Sequence, residues 1–134
     1  MTGETNLAVL IASMEPELLA ETYVYAVVDE SKFESLPINA ITGFFREREG
    51  ITVIVQQQHA NTLGLAYEGE YRCITLNVHS SLQAVGLTAA FSSALGDENI
   101  SANVVAGFYH DHIFVPSRDG DKALACLKSL TKRR

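Results

Sequence analysis

The chain has 134 residues, of which 47% are hydrophobic and 19% charged, and its formal net charge is −6. This length corresponds to one domain or two very small ones, and the composition is that of a globular chain, not a disordered one. The negative charge argues against nucleic acid as a partner, because phosphate backbones select basic surfaces. No apolar run approaches a membrane span and the N-terminus lacks a signal-peptide pattern, so we expect a cytoplasmic protein with no membrane partner.

An amphipathic helix is predicted at the start of the chain, with Thr5 as its cap and Pro16 as its end. Its apolar residues recur with helical spacing at Leu7, Leu10, Ile11 and Met14. The β-branched and aromatic run 22–28 then predicts a strand, and residues 29–37 predict a polar loop.

A second helix is predicted after Pro37, and Gly50 would end it as a left-handed cap. Its apolar face would consist of Ile38, Ile41, Phe44 and Phe45. Residues 51–57 are apolar on both faces and predict a buried strand. A short helix over 59–65 and a short linker over 68–70 complete this part of the chain.

The clearest pattern begins at about Glu70 and runs strand, helix, strand, tight turn, strand, helix. In the strand 71–79, alternate residues point to opposite faces, and Ile74, Leu76 and Val78 form the apolar set. Ser80 and Gln83 form a capping box for the next helix. The buried stripe of that helix would be Leu87, Phe91, Ala94 and Leu95.

Two further strands are predicted over 100–106 and 113–115, joined by a hairpin and therefore antiparallel. Ser117 or Asp119 would cap the last helix. Its buried residues would be Leu124, Leu127 and Leu130.

The order of elements is similar in two halves of the chain, residues 1–66 and residues 67–134. Residues 22–79 read as a βαββαβ pattern with one strand missing, and the second half reads as the same pattern without its last strand. Because an unpaired sheet edge is unfavourable, we expect two incomplete halves packed together in an α+β fold.

The region from Glu70 to Leu130 resembles an ACT domain, a small ligand-sensing module of amino-acid metabolic enzymes. The stretches LTAAFSSAL, NVVAG and YHDHIFVP resemble in particular a group of small, mostly bacterial, stand-alone ACT proteins with no assigned reaction. The first half resembles the degenerate leading segment of that group. The resemblance implies a ferredoxin-like βαββαβ sandwich, association between subunits, and amino acids as effectors.

In ACT domains the ligand is held by the loop after the first strand and by the strand after the first helix. Carried onto this sequence, the resemblance implies a ligand site made of Asn77, His79, Ser80, Ser81, Val85, Gly86, Asn103 and Val105. A helix N-terminus suits a carboxylate, hydroxyl groups add donors, and asparagine both donates and accepts. The family loop usually carries Asp, Arg or Asn before a Pro-Gly pair, whereas this chain has His-Ser-Ser.

A purely structural interpretation of the same residues stays open. In it, Ser80 only caps the helix, Gly86 inside that helix only permits packing against the sheet, and the two asparagines only satisfy nearby backbone groups.

The segment His110-Asp111-His112 is a candidate interface or secondary site, because histidine and carboxylate can bind zinc or transfer protons. Alternate residues of a strand would place the two histidines on one face and Asp111 on the other. Further ligands would have to come from elsewhere, with Cys73 and His79 as candidates. The alternative is a turn whose histidines make a subunit contact.

These observations favour a small-molecule-binding regulatory module without catalysis, without a metal or other cofactor, and with an amino acid as effector. A structural or partner-binding module with no ligand is the first alternative, and a histidine-based metal site is the second. No nucleophile or phosphate-binding motif is present. Incomplete sheets predict a homodimer or a higher homo-oligomer.

Overall fold

The computed structural model describes residues 6–77 and 86–132, and the chain divides into two compact units. One unit joins residues 1–20 to residues 72–134, and the other comprises residues 21–71. The helices in the described residues are α1 (Leu7–Ser13), α2 (Glu30–Ser35), α3 (Gln57–Leu63), α4 (Leu87–Asp97) and α5 (Gly120–Thr131). The strands are β1 (Pro16–Val28), β2 (Ile41–Arg46), β3 (Ile51–Gln56), β4 (Glu68–Leu76), β5 (Asn103–Ala106) and β6 (Asp111–Pro116).

The unit of residues 21–71, which we call the central unit, has the strand order β2-β3-β1-β4. β3 pairs antiparallel with both β1 and β2. Its core is built from small branched side chains: Val24, Val53 and Val55 have no exposed surface. These residues pack with Ala60 of α3 in one hydrophobic cluster.

The prediction of a helix after Pro37 is wrong, because residues 41–46 form the edge strand β2 after one short 3-10 turn. Ile38 and Phe45, assigned to a buried helical face, are 82% and 73% exposed. The strand that the sequence pattern left missing from the first half is therefore β2. The helix of that βαββαβ unit is α2, in the predicted polar loop, with Asp29 accepting the Lys32 backbone N–H at 2.8 Å.

Glycines in the central unit also differ from the predictions. Gly50 does not have the positive φ of a left-handed cap, whereas Gly64 does, with φ 68° and ψ 30°. Gly50 lies between β2 and β3, and a Cβ there would be 2.8 Å from Cγ2 of Val27, which explains why this position is a glycine. The predicted linker 68–70 is the beginning of β4.

The other unit, which we call the terminal unit, has the strand order β1-β4-β6-β5. β1 contributes to this unit only with its first residues, 16–20. β5 and β6 pair antiparallel, as the hairpin predicted. Three helices, α1, α4 and α5, cover one face of this sheet. The fully buried residues of this core include Leu10, Ile74, Leu76, Phe91, Leu95, Ile113, Val115 and Leu127.

The beginnings of two helices in the terminal unit depart from the predictions. Asn6 caps α1 by accepting the Val9 backbone N–H at 3.1 Å, while Thr5 lies outside the described residues. Gly86 lies at the cap of α4 and not inside the helix. The predicted capping box of Ser80 and Gln83 lies outside the described residues. The buried stripe predicted for α4 is confirmed, and the predicted ferredoxin-like α+β fold is confirmed as well.

Candidate functional site

A hydrogen-bonded polar pair joins two neighbouring strands of the terminal unit. Thr75 of β4 is only 7% exposed, and its Oγ1 lies 2.9 Å from Nδ1 of His112 in β6. Alternation along the two strands explains this placement, because Ile74 and Ile113 point into the helix-covered core and their neighbours point the other way. The hydrogen bond offsets the cost of burying the Thr75 hydroxyl beside the half-buried imidazole of His112.

Cys73 lies on the same strand face as Thr75, two residues earlier. Burial raises the pKa of its thiol to about 11, although a hydrogen bond with Thr75 opposes the shift. The thiol is therefore protonated at neutral pH and is neither a nucleophile nor a ready metal ligand. Among the described residues, no group of three His, Cys, Asp or Glu side chains is arranged to hold a metal ion.

The segment His110-Asp111-His112 spans the end of the hairpin and the start of β6. Burial raises the pKa of Asp111, and the charges of His112 and His110 partly oppose that shift. Burial also lowers the pKa of His112, and His110 adds to this effect. Nδ1 of His110 is buried and has no hydrogen-bond partner in the part of the chain that the structure describes.

Gly107 holds the hairpin close to the His112 ring. Its backbone N–H donates to the carbonyl of His110 at 2.9 Å. A Cβ at Gly107 would lie 2.9 Å from that carbonyl oxygen and 3.2 Å from Nε2 of His112. The imidazole thus lies between the Thr75 hydroxyl and the hairpin backbone, and a side chain at Gly107 would clash with the His110 carbonyl and crowd the ring.

Asn77 directly follows β4 and is exposed. The Asn77 backbone N–H donates to the Glu15 carbonyl at 3.1 Å, and its side-chain amide donates to Glu17 Oε1, also at 3.1 Å. Of the predicted ligand residues, His79, Ser80, Ser81 and Val85 lie outside the described residues.

Gly86 directly precedes α4 and is left-handed, with φ 99° and ψ −23°. Its carbonyl accepts the Ala90 backbone N–H at 2.8 Å and so starts α4. No side chain of the described residues caps this N-terminus. The close neighbour of Gly86 is α1: a Cβ there would lie 3.1 Å from Cδ2 of Leu7.

The two predicted ligand residues in β5 lie on the strand that follows α4, with no described strand on its outer edge. Asn103 donates through its side-chain amide to the Phe114 carbonyl at 3.3 Å, and Val105 is 41% exposed. Val105 stands opposite His112 in the ladder, so β5 brings one predicted ligand residue beside the predicted secondary site.

Sequence reasoning missed Thr75 as a member of this site. The sequence does indicate Thr75 in one way: it is a hydroxyl residue between two apolar residues of a predicted strand, and it shares its strand face with Cys73 and Asn77. The alternation of side chains along a strand predicts which face Thr75 lies on. It does not predict the partner, because His112 lies 37 residues further along the chain.

Family models of the ACT domain match the chain twice, over residues 2–72 and residues 68–129. A Vibrio cholerae protein of unknown function, described as a possible transport protein, is 43% identical, with a TM-score of 0.82; 94% of this chain and 96% of that chain are covered. An Agrobacterium tumefaciens protein is 19% identical, with a TM-score of 0.70 and coverages of 88% and 89%.

The ligand-free regulatory subunit of Thermus thermophilus aspartate kinase shares the fold at 8% identity, with a TM-score of 0.69 and coverages of 86% of this chain and 95% of that chain. No curated protein matches this chain. None of the helices within 6–77 and 86–132 has the length and apolarity to span a membrane. From the two family matches, the chain belongs to the ACT-domain family, whose domains are regulatory modules, and carries two of them in tandem.

Proposed function

We propose that this protein is a regulatory module that binds a small molecule, with an amino acid as its effector, and that it has no catalytic activity of its own. The two ACT matches support this function, and so does the fold shared with a regulatory subunit of aspartate kinase. The proposal keeps the predicted division into a degenerate half over residues 1–66 and an ACT domain over residues 67–134.

The observation that carries the proposal is the N-terminus of α4. This helix has 11 residues, begins at a left-handed glycine and lacks a side-chain cap in the described residues. Its first backbone N–H groups and its dipole favour a carboxylate, which every free amino acid carries. The proposed site combines this terminus with residues that precede it in the chain and with β5: Asn77, His79, Ser80, Ser81, Val85, Gly86, Asn103 and Val105.

A thermal-shift screen of the full chain against the twenty amino acids tests the proposal. A ligand at one hundred times its Kd stabilises the native state by about 2.7 kcal/mol. For a chain of this size that corresponds to a rise in Tm of roughly 8 °C. We expect one or a few amino acids to give a rise that grows with concentration.

Matched variants locate the effect. Ser81→Ala and Asn103→Ala should reduce the rise, whereas Ser93→Ala and Asn39→Ala, at exposed positions outside the proposed site, should leave it unchanged. A flat screen with protein shown to be folded would contradict the proposal.

A partner-binding module with no ligand is the alternative function. Both asparagine amides already donate to protein acceptors, and the hairpin beside β5 exposes 66% of Phe108 and 62% of Tyr109. After a flat screen, a pull-down from the native cells would test for such a partner.

We also propose that the protein is cytoplasmic and that it is a homodimer. A single monomeric species in sedimentation at micromolar concentration would contradict the dimer.

A histidine-based metal site is the remaining alternative, and the unpartnered Nδ1 of His110 is the observation that favours it. Metal analysis of the purified protein, compared with His112→Ala, tests it. Stoichiometric metal that the variant loses would support the site, and metal-free intact protein would remove it.

A further inference from the structure

A groove of about 630 Å³ lies in the central unit, between α2 and the edge strand β2. Glu30, Phe33 and Glu34 reach it from one face of α2, because they are three and four residues apart. Phe44 and Arg46 reach it from alternate positions of β2. The volume falls within the range of small-molecule sites.

The groove already holds a cation of its own chain. The guanidinium carbon of Arg46 lies 5.3 Å from the ring centre of Phe33 and 5.8 Å from that of Phe44, both within cation–π range. The two rings are 4.8 Å apart. Arg46 also pairs with the carboxylate of Glu30, and both side chains are more than half exposed, so this contact is weak and replaceable.

The charge of the groove is not balanced. Two carboxylates, Glu30 and Glu34, face a single cation, Arg46, which leaves one negative charge. Glu34 forms no ion pair with any described residue. Beside these charges lie apolar walls formed by Leu36 and Ile41.

We propose that this groove binds a small organic cation, a primary amine or guanidine carried on an apolar body. The cationic head lies against Phe33 and Phe44 and pairs with Glu34, while the body covers the apolar walls. The residues of this site are not those of the proposed effector site at α4 and β5, and the proposal does not depend on that one.

The test uses the full-length ¹⁵N-labelled protein and three probes of similar size: phenethylamine, phenylacetate and 2-phenylethanol. Backbone amide shifts of Thr42 and Gly43, in β2, report binding. We expect phenethylamine to give saturable shifts, 2-phenylethanol weaker binding and phenylacetate none. An absence of saturable shifts with phenethylamine, or equal binding of phenylacetate, would overturn the proposal.

Two variants move the affinity in opposite directions if the ligand is a cation. Glu34→Gln should weaken phenethylamine binding by about two- to fivefold, because it removes one exposed ion pair. Arg46→Met should strengthen binding by a similar factor, because it removes the competing cation from the rings. Glu49→Gln, exposed and outside the groove, is the control.

The variants also separate this proposal from the effector proposal. Weaker phenethylamine binding by folded Arg46→Met would refute the cation site. A rise in the amino-acid screen that Asn103→Ala reduces reports on the other unit, so that result leaves the groove proposal unaffected.

Discussion

Replacing Gly86 with alanine should destabilise the terminal unit by about 2–3 kcal/mol. Part of this cost is conformational, since φ of 99° is a region that L-residues occupy at a cost of about 1–2 kcal/mol. The rest comes from contact, because the new Cβ would lie 3.1 Å from Cδ2 of Leu7. Moving that side chain away from its rotamer costs about 0.5–1.5 kcal/mol.

Two other glycines separate these contributions. Gly64 has φ 68° and ψ 30° and no atom within 4 Å of an added Cβ, so its alanine variant should lose only about 1 kcal/mol. Gly96 is helical, without positive φ and with open space around it, so alanine there should gain about 0.5–1 kcal/mol. Leu7→Ala in the Gly86→Ala background should recover the contact part of the loss.

Urea denaturation followed by far-UV circular dichroism measures these differences, since the chain has no tryptophan. The reasoning would be refuted if Gly86→Ala cost no more than Gly64→Ala. It would be refuted in part if the Leu7→Ala cycle showed no coupling between the two positions.

Three further predictions concern the core, the pH dependence and the thiols. Phe91→Ala should lose about 3–5 kcal/mol in urea denaturation, because the ring has no exposed surface, while Phe45→Ala, at 73% exposure, should change stability by less than about 0.5 kcal/mol. Burial lowers the pKa of His112 below 6.5, so the unfolded chain binds more protons in the window just below that value and stability falls as the pH drops through it. His112→Asn should flatten this part of a pH–stability curve, and an unchanged slope would contradict it. Cys73, buried with a pKa of about 11, should resist thiol reagents in native protein at pH 8, whereas the half-buried Cys126 should react first; mass spectrometry after labelling distinguishes them.

Elements with a fully apolar buried face could be predicted from the sequence. The alternation around Ile74 and Leu76 gave β4, and the helical spacing of Leu87 and Phe91 gave the buried face of α4. In both cases one face is covered throughout, so the period of the pattern equals the period of the structure.

Residues 38–46 could not be predicted in the same way. Ile38, Ile41, Phe44 and Phe45 have helical spacing, yet Ile41 to Arg46 form an edge strand with exposed side chains on it. An edge strand buries little on either face, so its apolar residues carry no reliable period. What selects the strand is pairing with β3, and a single sequence does not display that long-range contact.

The candidate site shows the same division. The sequence places Asn103 and Val105 on one face of a strand, but the pairing of Val105 with His112, and of His112 with Thr75, depends on register and strand order. The left-handed cap at Gly86 was missed because a glycine within an apolar helical pattern reads as a packing residue.

The proposed effector site also divides recognition between backbone and side chains. The backbone N–H groups at the start of α4 would bind the carboxylate that all amino acids share, so they contribute affinity without selectivity. Discrimination between amino acids must then come from side chains on β5, where Asn103 offers an amide and Val105 an exposed apolar surface. We therefore expect Gly86→Ala to weaken every amino acid that binds, and Asn103→Ala to change which of them binds best. Equal losses from both variants across all ligands would refute this division.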